Sequence, residues 1–214
     1  TYSQQISQPL NGAQRAEVEI TFGVGNMNLE AMSEPTGLVH GDLILQENER
    51  VAQDFHVSDG VAYYRLRNEA TSPFHTDSPF LGDDRQWDLK LNPEVPTTLK
   101  ISGGVGKADL DLSKLRVTDL QVQAGVSNTE ITLPKQGRLQ ARIEGGVSRV
   151  TVFIPRGMAA RIQVEKGLSS IDVSGDFQGR GNGYVSPSYD MAANRVDLVI
   201  QGGIGKISVQ EADV

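Results

Sequence analysis

Cysteine is absent from this 214-residue chain, so disulfides, thiolate metal sites and cysteine nucleophiles are excluded. Also absent is any apolar run near the roughly 18 residues that a bilayer-spanning helix needs. Basic residues are in deficit, 20 against 27 acidic for a net charge of −7, which speaks against a nucleic-acid groove with its basic face. Histidine is scarce: His40, His56 and His75 stand in separate stretches, with no HxH or HExxH spacing to gather metal ligands. Helical patterning is missing as well, since the short AMSEPT stretch is cut by Pro35 and Gly37. What remains is 38% apolar residues, enough for a continuous core, arranged as strand formers in a regular order. The chain opens at TYSQQ without an initiator methionine, which leaves room for a leader or membrane anchor upstream.

That order is a repeat. GGVGKADLDL begins at Gly103, AGVSNTEITLP at Ala124, GGVSRVTVFIP at Gly145 and KGLSSIDVSG at Lys166, each 21 residues after the last. Gly104, Gly125, Gly146 and Gly167 share a column, followed by Val105, Val126, Val147 and Leu168, then by the small Gly106, Ser127, Ser148 and Ser169. Apolar columns flank them: Ile101, Val122, Ile143 and Val164 upstream, Leu110, Ile131, Val152 and Val173 downstream. Alternation at period two marks half-buried strands, so each repeat carries two strands joined at a glycine bend. A fixed period of this length calls for a stacked architecture in which each unit buries its neighbour's apolar face. The expectation is that Val105, Val126, Val147 and Leu168 lie atop one another inside the protein.

Two offset copies extend the pattern. VEITFGVGNMNLEA places Val18, Ile20, Gly23, Val24, Gly25, Met27 and Leu29 in the same columns, and LVIQGGIGKISVQ does so with Gly203 in the glycine column. The 36 residues from Gly167 to Gly203 exceed one period, and the surplus fits a projecting loop over 177–191, FQGRGNGYVSPSYDM. Between the first copy and Trp87 the period is obscured, although LVHGDLILQ, DFHVSDGVAYYRLR and WDLKL read as strands. Residues 1–86 are therefore expected to form an irregular N-terminal β segment packed on a regular solenoid of residues 87–214, in one continuous domain. Trp87, the only tryptophan, is expected to plug the junction.

On these residues the chain resembles the toast-rack family, which includes C-terminal domains of bacterial cell-wall-active antibiotic response proteins. The resemblance is carried by the glycine–valine–small bends, by WDLKLNPEVPTTLKISGGVGKADLDLSKL (87–115), by the closing YVSPSYDMAANRVDLVIQGGIGKISV (184–209), and by the opening AQRAEVEITFGVGNMNLEA with GLVHGDLILQ. It covers nearly the whole chain. The resemblance implies a single-stranded, right-handed parallel β-helix-like rack, which the repeat makes an all-β solenoid of about 21 residues per coil. It also implies no established enzymatic activity and an association with envelope-stress sensing, often beside a transmembrane segment. No catalytic motif or functional residue comes with it.

Each chemical motif has a structural counterpart. GGVGK lacks the GxxxxGK[ST] pattern and a following helix, so the glycines Gly104, Gly125, Gly146, Gly167 and Gly203 are bends and no cofactor is expected. His40 and His56 could meet if their strands pair. Asp109 and Asp111 lie two apart on one strand face, loosely within the carboxyl spacing of glycosidases, and Asp83 and Asp84 are adjacent; a solvated face is the simpler expectation. Lys114, Lys135 and Arg156 share a frame position, with Lys107 and Arg149 in a column nearby; this corner could bind anionic polymers or lipid headgroups, or discourage lateral pairing. Phe177, Tyr184 and Tyr189 lie among glycines in the projecting loop, as contact residues or as a lid over the rod's end.

The expected function is a non-enzymatic interaction or sensor module of the bacterial cell envelope, with an envelope protein or cell-wall polymer as partner. An adhesin-like or carbohydrate-binding module is the alternative, and a polysaccharide-active enzyme ranks behind both. A sugar binder would show Tyr184 or Tyr189 beside a groove. Unpaired strand edges at the ends favour dimers.

Overall fold

The computed structural model describes residues 1–70, 84–165 and 170–214. His75, Asp83, Gly167, Leu168 and Ser169 lie outside the described residues. The described chain is all-β, with one short 3-10 turn at Tyr189–Met191 and no α-helix. Its strands are β1 (Tyr2–Gln8), β2 (Arg15–Thr21), β3 (Val24–Ala31), β4 (Val39–Leu45), β5 (Glu49–Ser58) and β6 (Val61–Ala70). There follow β7 (Gln86–Leu91), β8 (Thr97–Ser102), β9 (Val105–Asp111), β10 (Val117–Ala124), β11 (Val126–Thr132), β12 (Arg138–Gly145) and β13 (Val147–Pro155). The last are β14 (Ala159–Glu165), β15 (Ser170–Ser174), β16 (Gln178–Arg180), β17 (Gly183–Val185), β18 (Arg195–Gln201) and β19 (Ile204–Ala212).

These strands form two large mixed sheets. One has nine strands in the order β1-β4-β7-β3-β9-β11-β13-β19-β15, and the other has ten, β16-β17-β14-β18-β12-β10-β8-β2-β6-β5. In the middle of both, parallel partners are 21 residues apart: Leu110 faces Ile131 and Ile131 faces Val152 in one sheet, while Ile101 faces Val122 and Val122 faces Ile143 in the other. Inward residues of both sheets form one core, running from Ile6 to Val209. Stacked aliphatics such as Leu99 and Leu120, each burying an apolar side chain worth about 1.5–3 kcal/mol, hold neighbouring turns together.

The columns hold throughout, but spatial order departs from chain order at both ends. The first copy, β2–β3, abuts β8–β9, with Val18 facing Leu99 and Gly25 facing Gly106. On its other side lies a copy that the sequence hides, β6 followed by β7, with Tyr64 facing Val18 and Trp87 facing Met27. The final copy, β18–β19, sits between β12–β13 and β14–β15, so Ile171 faces Ile207 and not Val150. Asn194 stitches this insertion on both sides: its carbonyl accepts from the Ala159 amide at 3.0 Å and its side chain from the Gly137 amide at 3.0 Å. The expected winding of one period per turn along the whole chain is thus replaced at the ends by crossovers. Antiparallel strands complete the edges: β4 and β1 beyond β7, and β5 on β6 through a two-residue Asp59–Gly60 turn with φ of 52° and 75°.

The valine column points the other way from expectation. Val126 and Val147 are each 54% exposed. Strand parity explains it, because Val105 shares a face with Lys107 and Asp109, whereas Gly106, Ser127 and Ser148 turn inward. The inward position is narrow. A Cβ on Gly106 (φ 140°) would fall on the Gly25 carbonyl oxygen. Ser148 fits there, buried, but its hydroxyl has no hydrogen-bond partner.

Candidate functional site

Beyond β15 the loop expected to project folds back and covers the end of the ten-stranded sheet. Gly175, at φ 131°, turns the chain, the Asp176 amide donates to Glu211 at 3.0 Å, and Phe177 packs against the core. Gly181 (φ 60°) and Asn182 link β16 to β17, and β17 runs antiparallel to β14 with Tyr184 facing Ile162. Gly183 is required there, since a Cβ would land on the Ile162 carbonyl oxygen. Ser186 then clips the chain to β14: its Oγ accepts from the Ala160 amide and its amide donates to the Ala160 carbonyl, both at 2.8 Å.

The clip delivers Tyr189 into the sheet surface, where it is 4% exposed. Its hydroxyl donates to Asp197 Oδ1 at 2.6 Å, and the Arg161 guanidinium stacks on its ring at 4.3 Å, with Arg195 at 5.3 Å. Arg161 Nε lies 3.4 Å from the same Asp197 oxygen, and Gln140 donates to the other at 3.0 Å. Burial, reinforced by the hydrogen bond to Asp197, holds the Tyr189 hydroxyl above its usual pKa, so it acts as a donor at neutral pH. Above this cluster lies a hollow of about 420 Å³ bounded by Arg161, Gln163, Arg180, Asn182, Tyr184 and Asp190. Tyr184, opposite Ile162, is half-buried with its side chain against the core, and Arg180 is exposed at the hollow's rim.

Further hollows lie on the sheets, two of them larger. One of about 670 Å³ at the opposite end of the ten-stranded sheet carries His56 stacked on Tyr63 at 4.8 Å. Its arginines are ion-paired, Arg65 to Glu19 at 3.4 Å and Arg67 to Asp54 at 4.0 Å. The other, about 570 Å³ on the nine-stranded sheet, is acidic, with Asp42, Asp88, Asp109 and Asp111. Burial and the neighbouring Glu130, Asp111 and Glu30 raise the Asp109 pKa above the usual carboxylate value. No group of three or more acidic, histidine or cysteine side chains able to hold a metal ion is present among the described residues.

Several residues singled out in the sequence part company in the fold. His40 lies on β4 in the nine-stranded sheet, with Ser7 and Thr36 as hydrogen-bond partners, and His56 on β5 in the other, so their strands do not pair. In the basic corner the Lys135 amide bonds the Ser113 carbonyl at 3.2 Å, placing two turns in contact beside Lys114. Arg156 is engaged elsewhere, with Glu211 at 3.2 Å and Asp213 at 2.7 Å. Trp87 is buried between Met27 and Leu43, edge-on to Phe22 at 5.2 Å. The glycine column makes close approaches: a Cβ on Gly125 or Gly146 would meet a carbonyl oxygen of the preceding turn, Gly103 at 2.5 Å and Ala124 at 2.6 Å, and Gly104 and Gly203 are tighter still. Sequence reasoning misses Arg161, Asp197, Gln163 and Arg180; their one signal is the pairing of β14 with β17 and β18, which no periodicity discloses.

The chain matches the family model of the N-terminal domain of toast_rack, DUF2154, over residues 1–153. It is similar to the crystal structure of a "putative cell adhesion protein" from Clostridium sporogenes, with a TM-score of 0.87, 27% identity and 99% of each chain covered. A "putative adhesin" structure from Bacteroides fragilis aligns at a TM-score of 0.37 and 10% identity, over 97% of this chain and 96% of that one. No curated protein matches the sequence. The family match takes in β1 through most of β13, and the chain belongs to the toast-rack N-terminal domain family.

Proposed function

We propose that the protein is a non-enzymatic, adhesin-like recognition module of the bacterial cell envelope. The observation that carries this reading is the likeness to the Clostridium sporogenes cell adhesion structure across both whole chains. The architecture suits it: stacked coils, wound as a β-solenoid, present outward polar columns on two broad and rigid faces. Asp109 and Asp111 belong to such an open face, beside other carboxylates, where an acid/base pair would want a cleft. The partner is a cell-wall polymer or envelope protein. Co-sedimentation of the purified protein with isolated bacterial cell walls, and separately with envelope membranes, tests the reading; recovery in the supernatant with both overturns it.

The finer reading, a sensor of envelope stress, makes a separate demand: deletion of the gene alters survival under cell-wall-active antibiotics. Pairing of two copies through the open edges of β1 or β15 belongs to the same proposal, and equilibrium sedimentation decides it. A carbohydrate-binding role is supported over a purely protein-directed one by the arginine-lined hollow on β14.

A further inference from the structure

The geometry points to the hollow between β14 and the β16–β17 hairpin as a binding site for a carboxylate-bearing saccharide. The inference rests on the recognition reading above and gives it a place and a ligand class. The site lies at 161–197, beyond the residues that the family model covers.

Charge supports it first. The protein carries a net −7, yet two guanidiniums, Arg161 and Arg180, line the hollow against one carboxylate, Asp190. Asp197 is already committed to Tyr189, Gln140 and Arg161. The Arg180 side chain has no ion-pair or hydrogen-bond partner among the described residues and stands exposed at the rim. A guanidinium fork binds a carboxylate through two parallel N–H donors, and the surplus of one positive charge matches a singly charged group.

Preorganisation is the second support. Arg161 is held by Asp197 at 3.4 Å and by the Tyr189 ring at 4.3 Å, yet 58% of its side chain is exposed, so it is positioned before a ligand arrives. Holding a polar group in its bound geometry removes much of the ordering cost of association. The third support is the wall. Val185, opposite Arg161 on the outward face, offers an apolar patch to a sugar's C–H surface, and the Gln163 and Asn182 amides supply donors and acceptors for ring hydroxyls; the Tyr184 ring, opposite Ile162, packs on the core side. The volume of about 420 Å³ falls within the span of small-ligand sites. The basic corner residues Lys114 and Lys135 line none of the described hollows.

Calorimetric titration with an oligogalacturonate, against a neutral cello-oligosaccharide of equal length, tests the site. The charged probe binds at least tenfold more tightly than the neutral one. Arg180→Ala weakens it at least tenfold, Arg180→Lys recovers only part, and a Lys114→Ala/Lys135→Ala double variant binds as the parent does. Arg180 is exposed at a strand end, so its variants keep the parental urea midpoint. Equal affinity for the two probes, parental affinity in Arg180→Ala, or loss in the corner variant overturns the assignment. Cell-wall sedimentation separates the two levels: a parent protein that pellets with walls without binding the charged probe refutes the site alone, and one that does neither refutes the wider reading.

Discussion

Gly104→Ala measures how closely the turns of this rack approach one another. A Cβ at Gly104 would fall on the Gly23 carbonyl oxygen, with the Phe22 carbonyl oxygen 3.0 Å away. That same Gly23 oxygen accepts from the Val105 amide at 2.9 Å, and the Gly104 oxygen accepts from the Val126 amide at 2.9 Å. Relief therefore requires parting two turns at a point where both are hydrogen-bonded. Overpacking costs about 1–3 kcal/mol and each strained backbone bond about 1 kcal/mol. The expected loss is about 3–5 kcal/mol, or about 6–20 °C in Tm for a domain of this size. Gly179, exposed in β16 with nothing within 4 Å of an added methyl, is the control; Gly179→Ala should lie between no change and a gain of about 1 kcal/mol. Urea unfolding followed by far-ultraviolet circular dichroism compares the two. A Gly104→Ala protein within about 1 kcal/mol of the parent would refute the close approach and the reasoning built on it.

Three further outcomes are expected. Val126→Thr should change stability by no more than about 0.5 kcal/mol because the side chain is outside, whereas Val150→Thr, at a fully buried position, should cost about 1–3 kcal/mol for its buried hydroxyl; equal urea midpoints would contradict the strand parity. Ser148→Ala removes a buried hydroxyl without a partner and should be neutral or stabilising by up to about 1 kcal/mol, so a clear loss would reveal a partner. The raised carboxyl pKa of Asp109 means that its protonation favours the folded state, and ionisation at neutral pH works against it. Asp109→Asn should therefore raise the urea midpoint at pH 7, with the gain vanishing as pH falls below the ordinary carboxylate range; a gain that persists at pH 3 would sink the electrostatic account.

The columns are legible in the sequence because register leaves a signature at every turn: Ile101, Val122 and Ile143 are 21 apart and do face one another. Order is not legible, for the same reason. Turns with identical apolar columns fit against any other turn, so nothing in Val164 or Ile171 states that Ile200 and Ile207 come between them and β12–β13. The β6–β7 copy is hidden because the sequence between Ala70 and Gln86 lacks the glycine–valine–small motif, although Tyr64, Leu66, Trp87 and Leu89 occupy the right columns. Residue type misplaces the valine column where parity would set it right, since Val105 shares a face with Lys107. Tyr184 stands out in its loop, but its side chain packs on the core side opposite Ile162, while Tyr189 is the hollow's buried floor. The groups that give the hollow its charge come from β14, β16 and β18, brought together only by the fold.

The position of β18–β19 also governs how the molecule can be made. Strands β14 and β15 leave the ribosome before the residues they will rest against, so this pair waits unseated until Arg195 to Ala212 have emerged. The β18–β19 pair is thus an internal rung. A linear array loses its last member first and frays from the tip; here the final segment works as a keystone, and a chain cut short before β18 would release its next-to-last turn along with its last.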